Sequence, residues 1–204
     1  MGGSAKYRAA KKIKTNQNSR SLNVTGQKHF PVEANLRIKV KTREDAVREF
    51  RNSHVNSDHE RAYAIDDQGY VHQYAEGGKD FVDIKYPKNG HVIHNHPDGE
   101  GEHLSVDDLR VFASKELKSL TASSKRNDYV IERGTHFKKQ EFMNALYTAK
   151  INWDDTDSVH NWLLDNAYKY GYRYTRKVYN NSGKVVKETK SLSVKRSDRK
   201  KYGL

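Results

Sequence analysis

The chain has 204 residues, of which 34% are hydrophobic and 31% are charged, and it contains no cysteine. This length suits one domain with extensions or two small domains, with a hydrophobic core of modest size. The lack of cysteine excludes disulfides, a thiol nucleophile and thiolate metal ligands, and no apolar run reaches the roughly 20 residues of a membrane span. We therefore expect a soluble, cytoplasmic protein.

The net charge of +12 is concentrated at the two ends of the chain. Residues 1–30 contain seven Lys or Arg and no acid, whereas residues 183–204 contain eight basic and two acidic residues. The intervening residues, 31–182, carry a net charge of −1. Residues 1–34 are therefore predicted to be a basic, flexible arm. Basic arms can bind nucleic acid by neutralising phosphates and releasing counterions, or they can be solvated tails without a partner.

The first predicted elements are an edge strand, a helix and a hairpin. Residues 35–41 alternate apolar and basic side chains, which is typical of an edge strand. Residues 43–54 have acids in the first turn and Thr42 as a plausible N-cap, a pattern that predicts a helix. Residues 61–66 and 70–75 are strand-like and flank the turn sequence DDQG, so they predict a hairpin.

The next elements complete a predicted α/β or α+β core over residues 35–135. Residues 90–95 predict a strand that ends in histidines. Residues 105–118 predict a helix with an apolar face, and short strands are predicted over 119–124 and 128–133.

Residues 136–204 are predicted to form a C-terminal appendage. Helices are expected over 139–150 and 156–170, followed by a hairpin that turns at 181–183 and by a basic tail. Tyrosines and basic residues alternate within 168–179. This alternation is typical of a half-buried strand or helix end, although tyrosines of this kind can also stack nucleic-acid bases.

The sequence HVIHNHPDGEGEHLSVDDL, residues 91–109, has the residue types of a metal site. His94 and His96 are two residues apart, so that on a strand both imidazoles lie on one face. Asp108 lies in the first turn of the following helix, and a glycine-containing loop can fold it back to the end of the strand. Two imidazoles and one carboxylate can bind a catalytic Zn²⁺ that keeps a fourth position for water. His91 has odd spacing from His94, so we expect it on the opposite side of the strand, at the surface.

A metal-activated water also needs a general base that is not itself a metal ligand. The upstream carboxylates are Glu49, Glu60 and Glu76, and Glu60 is preferred because it stands where the predicted helix gives way to the next strand. Ser105 can donate a hydrogen bond to a developing oxyanion. A purely structural interpretation fits as well, because Ser105 and Asp108 have the spacing of a helix-capping box.

The sequence HNHPDGEGEHLSVDD resembles the JAMM signature of the JAB/MPN metalloproteases, in which an upstream Glu is followed by His-x-His-Pro and Ser-x-x-Asp. The HNHP form is most similar to the RadC-like and phage or bacterial branch of that family. The sequence VHNWLLDNAYKYGYRYTRK also resembles the tails of such domains in phage proteins associated with head morphogenesis. The resemblance implies that His94, His96 and Asp108 bind zinc, that Ser105 supports the tetrahedral intermediate and that Glu60 is the general base.

The resemblance implies a JAB/MPN-like mixed sheet flanked by helices, which makes residues 35–135 a metallohydrolase domain. The implied activity is zinc-dependent hydrolysis of a peptide or isopeptide bond in a protein or peptide substrate, such as a ubiquitin-like conjugate or a phage structural protein. The alternative is a non-catalytic JAB-like scaffold that is virion-associated or binds nucleic acid through its basic arms. The implied location is the cytoplasm of a bacterial host, with a virion as the alternative.

Overall fold

The computed structural model describes residues 29–31, 42–86, 88–97, 102–114 and 116–191. The helices in these ranges are α1 (Arg43–His54), α2 (Val106–Ser114), α3 (Lys139–Thr148) and α4 (Thr156–Tyr170). The strands are β1 (His29–Pro31), β2 (Arg61–Ile65), β3 (Val71–Glu76), β4 (His91–Asn95), β5 (Ser119–Ser123), β6 (Asn127–Arg133), β7 (Tyr172–Tyr179) and β8 (Val185–Lys190).

All eight strands belong to one mixed sheet in the order β1-β3-β2-β4-β5-β6-β7-β8. Neighbouring strands are antiparallel except β4 and β5, which are parallel. A parallel pair needs a crossover connection, and here the segment that contains α2 provides it. The architecture is therefore α+β, a mixed sheet flanked by helices, which confirms the predicted class.

The two faces of the sheet are covered by different helices. Phe50 of α1 packs with Tyr63, Ile65 and Ile93, and we call this side of the sheet the α1 face. The alternate residues of the same strands face the other way, because successive side chains of a strand point to opposite sides. They pack against buried residues of α2, α3 and α4, and we call this side the three-helix face.

The local sequence signals locate most of the predicted elements. The predicted helix over 43–54 is confirmed, and the Thr42 Oγ1 accepts a hydrogen bond from the Asp45 N–H at 3.1 Å as its N-cap. The helix predicted over 105–118 is shorter, because α2 ends at Ser114 and the chain then turns into β5. The strand predicted over 35–41 lies outside the described residues, as does the tail from 192 onwards.

The C-terminal segment continues the same sheet. Strand β7 pairs with β6 from Asn127↔Val178 to Arg133↔Tyr172, so the predicted boundary at 135 falls inside one continuous sheet. Tyr172 and Tyr174 are buried in the core on the three-helix face, which explains the tyrosine alternation as that of a half-buried strand. Of the predicted N-terminal arm, residues 29–31 form β1 and the others lie outside the described residues.

A buried ion pair joins α1 to the far half of the sheet. Arg51 donates hydrogen bonds to Asp128 and to the Ser124 carbonyl, the latter at 3.2 Å. Asp128 also accepts hydrogen bonds from the Ser123 and Tyr179 hydroxyls, each at 2.6 Å. The carboxylate is therefore fully provided with donors although it is almost completely buried.

We expect Asp128→Ala to lower the free energy of unfolding by about 3–5 kcal/mol, because the substitution leaves the Arg51 guanidinium buried without its partner. The double substitution Arg51→Met/Asp128→Leu should recover much of this loss, since it removes both charges. Urea unfolding followed by circular dichroism measures both effects. A loss below about 1 kcal/mol for Asp128→Ala would show that this pair does not hold α1 to the sheet.

Candidate metal centre

Strand β4 brings the two histidines to one place on the three-helix face. His94 lies between Ala62 of β2 and Ala122 of β5, whose small side chains leave room beside the imidazole. His96 follows the strand, and its backbone N–H donates to the Ser123 carbonyl at 2.8 Å. This bond continues the pairing of β4 with β5 and fixes the direction of the second imidazole.

The third residue of the group comes from the start of α2. The Asp108 N–H donates to the Ser105 Oγ at 3.0 Å, and the Ser105 N–H donates to the Asp108 Oδ2 at 2.9 Å. These reciprocal bonds form the capping box that the sequence predicts. The same carboxylate turns towards the histidines, so Asp108 contributes both to the helix start and to the site.

The side-chain atoms of His94, His96 and Asp108 converge on one point. The two Nε2 atoms are 2.9 Å apart, the His94 Nε2 is 3.4 Å from Asp108 Oδ1, and the His96 Nε2 is 3.6 Å from Asp108 Oδ2. A tetrahedral site with bonds of about 2.0–2.1 Å separates its ligand atoms by about 3.3 Å. The three residues are buried, and one ligand atom from each lies within 4.8 Å of the others. The group could therefore hold a metal ion.

The electrostatics of the group favour its cation-binding forms. Burial lowers the pKa of His94 below its usual value, and Asp108 only partly opposes this. Burial alone would raise the pKa of Asp108, but the charges and hydrogen bonds of His94 and His96 outweigh burial and hold that pKa well below its usual value. A neutral imidazole and an ionised carboxylate are the forms that bind metal ions.

The pairing register places Glu60 on the same face as the histidines. Ala62 is directly opposite His94, and paired residues of neighbouring strands point to the same side. Glu60 lies two residues before Ala62, and its N–H and carbonyl continue the pairing beside β3 with Gly78 and Gly77, so strand alternation puts its side chain on the three-helix face. The Glu60 side chain is buried.

The other two upstream carboxylates lie on the opposite side of the sheet. Glu76 pairs with Arg61, and the parity of β2 puts both on the α1 face. There the Glu76 carboxylate forms an ion pair with Arg61 and accepts a hydrogen bond from the Tyr74 hydroxyl at 2.6 Å. Glu49 belongs to α1, which covers that same face. Of the three candidates, only Glu60 is on the face that carries the histidines.

Asn95, between the two histidines, has a positioning role that the sequence analysis missed. Its Oδ1 accepts a hydrogen bond from the Arg61 N–H at 2.6 Å, and its Nδ2 donates to the His59 carbonyl at 3.1 Å. These are the two peptide groups that flank Glu60. The completely buried Asn95 therefore fixes the backbone of Glu60 relative to β4. The only sign of this role in the sequence is that a carboxamide stands between two candidate ligands. The sequence does not show which strand lies next to Asn95.

His91 is on the opposite side of β4 from His94, as predicted, but its predicted surface position is wrong. The side chain is buried, with Nδ1 2.6 Å from the Ser119 Oγ and Nε2 3.1 Å from the Asp67 Oδ1. The reason is that β4 is a central strand with neighbours on both sides. Histidine spacing predicts the face of a strand but not how deeply the strand lies within the sheet.

Comparison with known proteins does not assign the chain to a family, since no family model, no curated protein and no solved structure matches it. None of the helices in the described part of the chain has the length and apolarity needed to cross a lipid bilayer.

We expect protein purified without chelator to contain about one metal ion per chain, and His96→Ala to lose it, because one of three ligands is removed. His91→Gln is the matched control, since the residue is on the same strand but faces the other way. Elemental analysis measures the content and identifies the metal. Equal metal content in His96→Ala and wild type would exclude this group as the metal site.

We expect Asn95→Leu to lower the free energy of unfolding by about 1–3 kcal/mol, because it takes the hydrogen-bond partner from the partly buried His59 carbonyl and Arg61 N–H. Asn52→Leu, on the exposed side of α1, is the control and should change it by less than about 0.5 kcal/mol. Urea unfolding provides both values. If the two leucine variants are equally stable, the hydrogen bonds of Asn95 do not fix the start of β2.

Proposed function

We propose that the protein is a zinc-dependent metallopeptidase or isopeptidase of the JAMM type, which hydrolyses an amide bond with a metal-activated water. The observation that carries the proposal is the convergence of His94, His96 and Asp108, with Glu60 on the same face of the sheet. Three protein ligands leave one position of a tetrahedral ion for water or substrate, which is the composition of a catalytic rather than a structural site.

The donor set supports zinc as the metal. Two imidazole nitrogens and a carboxylate oxygen suit Zn²⁺, and sulfur ligands are excluded because the chain has no cysteine. When bound, zinc would supply a Lewis acid and a water whose pKa is lowered towards 7. His94, His96 and Asp108 would hold it, and the hydrogen bond from the Ser105 N–H would keep the Asp108 carboxylate turned to the metal.

Glu60 is the proposed general base. Its carboxylate would accept the proton of the attacking water and return it to the leaving amine, and neither transfer requires it to bind the metal. Its burial removes bulk water from the carboxylate, and the bonds of Asn95 to the flanking peptide groups hold its backbone in position. A base held in this way does not need to be reoriented before the proton transfer.

Ser105 is the proposed oxyanion donor. Its Oγ accepts the hydrogen bond from the Asp108 N–H, and a hydroxyl group that accepts still has one hydrogen to donate. That hydrogen can stabilise the negative charge that develops on the carbonyl oxygen of the substrate. In this proposal one hydroxyl group has both roles: the Ser105 Oγ caps α2 and its hydrogen stabilises the oxyanion.

The resemblance to the JAMM signature supports the same assignment residue by residue. We propose a RadC-like JAB/MPN core over residues 35–135, whose mixed sheet is continued at one edge by β7 and β8. The substrate class would be a protein or peptide, such as a ubiquitin-like conjugate or a phage structural protein. The proposed location is the cytoplasm of a bacterial host or a virion.

A second candidate function is a non-catalytic scaffold that binds nucleic acid through its basic arms. The observation that favours it is the charge distribution, with the excess of basic residues at the two ends of the chain. A scaffold can retain a metal ion, so metal content does not separate the two functions. Turnover does.

We expect Glu60→Gln to lower kcat for amide hydrolysis by about 10²–10⁴-fold, because the amide cannot accept the proton of the attacking water. Metal content and urea midpoint should match those of wild type. The assay uses zinc-loaded full-length protein with a panel of fluorogenic peptides and isopeptide-linked conjugates. Glu76→Gln, on the α1 face, is the control and should retain activity. Equal turnover by Glu60→Gln and wild type would remove Glu60 from the mechanism, and a metal-loaded wild type that cleaves no substrate of the panel would favour the scaffold.

A further inference from the structure

A large groove lies on the α1 face, on the opposite side of the sheet from the metal centre. Helix α1 covers β2 and β4, and the groove is the space between α1 and the turn of the β7–β8 hairpin. Its volume is about 810 Å³, and strands β4, β5 and β6 form its floor. We call it the α1 groove. No step of the proposed hydrolysis uses it.

The lining of the α1 groove is positively charged. It includes two acids, Glu44 and Asp128, and six basic residues, which are Arg43, Arg48, Arg51, Lys125, Arg126 and Lys177. Asp128 is neutralised by its buried partner Arg51. Within the described part of the chain, no carboxylate lies within ion-pair distance of the Lys125, Arg126 or Lys177 side chains. Three cations on one rim are thus left to attract an anionic ligand.

The floor of the groove contains both polar and apolar residues. His91, Ser119 and Thr121 are among its lining residues, and each is almost completely buried by its neighbours. The imidazole of His91 is already held by Ser119 and Asp67, and Ile93 and Val130 are apolar residues of the same floor. At the hairpin end, the ring of Tyr179 also lines the groove, with the Arg51 guanidinium carbon 3.6 Å from its centroid.

We propose that the α1 groove binds a single strand of nucleic acid. A cationic groove with an aromatic side chain is the arrangement by which proteins hold single strands, with the phosphates on the rim and the bases turned inwards. The bases would lie against the apolar side chains of the lining, among them Val47, Ile93 and Val130. The volume is within the roughly 300–1,000 Å³ of ordinary ligand pockets, which suits a few nucleotides and not a duplex.

Charge complementarity also argues against the chain's own arms as occupants of the groove. Residues 1–30 carry seven basic residues and no acid, so they have the same sign of charge as the rim. The arms would instead strengthen the attraction of a polyanion by adding further phosphate contacts. The groove is therefore a separate site from the arms of the scaffold hypothesis, and it does not depend on whether the metal centre is catalytic.

The test is fluorescence anisotropy of full-length protein with a labelled oligothymidylate of about 12 nucleotides, titrated over a range of salt concentrations. We expect Lys125→Ala/Arg126→Ala to make the slope of log K against log salt shallower by about 1.4, since each single-strand phosphate contact contributes about 0.7. At about 0.1 M salt this corresponds to roughly 25-fold weaker binding.

Lys79→Ala/Lys150→Ala is the matched control, because both lysines are exposed and lie outside the groove. This double substitution removes the same amount of charge as the rim variant. We expect it to weaken binding by less than about threefold. Asn52→Glu places a carboxylate in the lining of the groove on the exposed side of α1, and it should weaken binding at least about fivefold while leaving the urea midpoint unchanged.

Three results would overturn the proposal: no salt-sensitive binding by wild type, equal weakening by the rim and control variants, or full binding by Asn52→Glu. The Glu60→Gln variant should bind the oligonucleotide like wild type, because Glu60 is on the three-helix face. A negative result in the groove test would therefore not bear on the proposed hydrolase activity. A negative result in the hydrolase test would likewise not bear on nucleic-acid binding in the groove.

Discussion

The parallel pairing of β4 with β5 is the constraint on which the rest of the structure depends. Parallel neighbours cannot be joined by a tight turn, so the chain must leave the carboxyl end of β4 and return through a crossover. Helix α2 lies in that crossover, and its first turn carries Asp108 back to the point where β4 ends. The carboxyl ends of parallel strands beside a helix start are a common location for ligand sites in sheets flanked by helices.

The side chains of β4 alternate between the three-helix face and the α1 face of the sheet. His94 points to the three-helix face, whereas His91, Ile93 and Asn95 belong to the other side. Asn95 nevertheless supports the candidate metal centre, because its carboxamide bonds the peptide groups on either side of Glu60, just before the neighbouring strand. Strand β4 and the residue after it thus supply two of the three candidate ligands, the support of the candidate base and part of the floor of the α1 groove.

Short-range signals in the sequence are sufficient for much of this arrangement. Thr42 and the acids after it locate α1, the DDQG turn locates the hairpin of β2 and β3, and the spacing of His94 and His96 predicts a shared face. Long-range features are not encoded in this way. The burial of His91 and the partners of Asn95 depend on which strands become neighbours, and that order is decided by the packing of distant segments. The α1 groove likewise forms between elements more than a hundred residues apart in the chain.

The double use of Asp108 has a consequence for how the candidate site would acquire a metal ion. The Ser105 hydrogen bonds and the strand pairing hold the side chains of the site with protein groups alone. The site is therefore preorganised, and its formation does not have to be driven by the ion as in zinc fingers, which are unfolded without metal. A folded protein without metal can exchange ions with its surroundings, and metal occupancy then adds to stability only through mass action. Loading would follow the supply of metal in the cell and not the rate of folding.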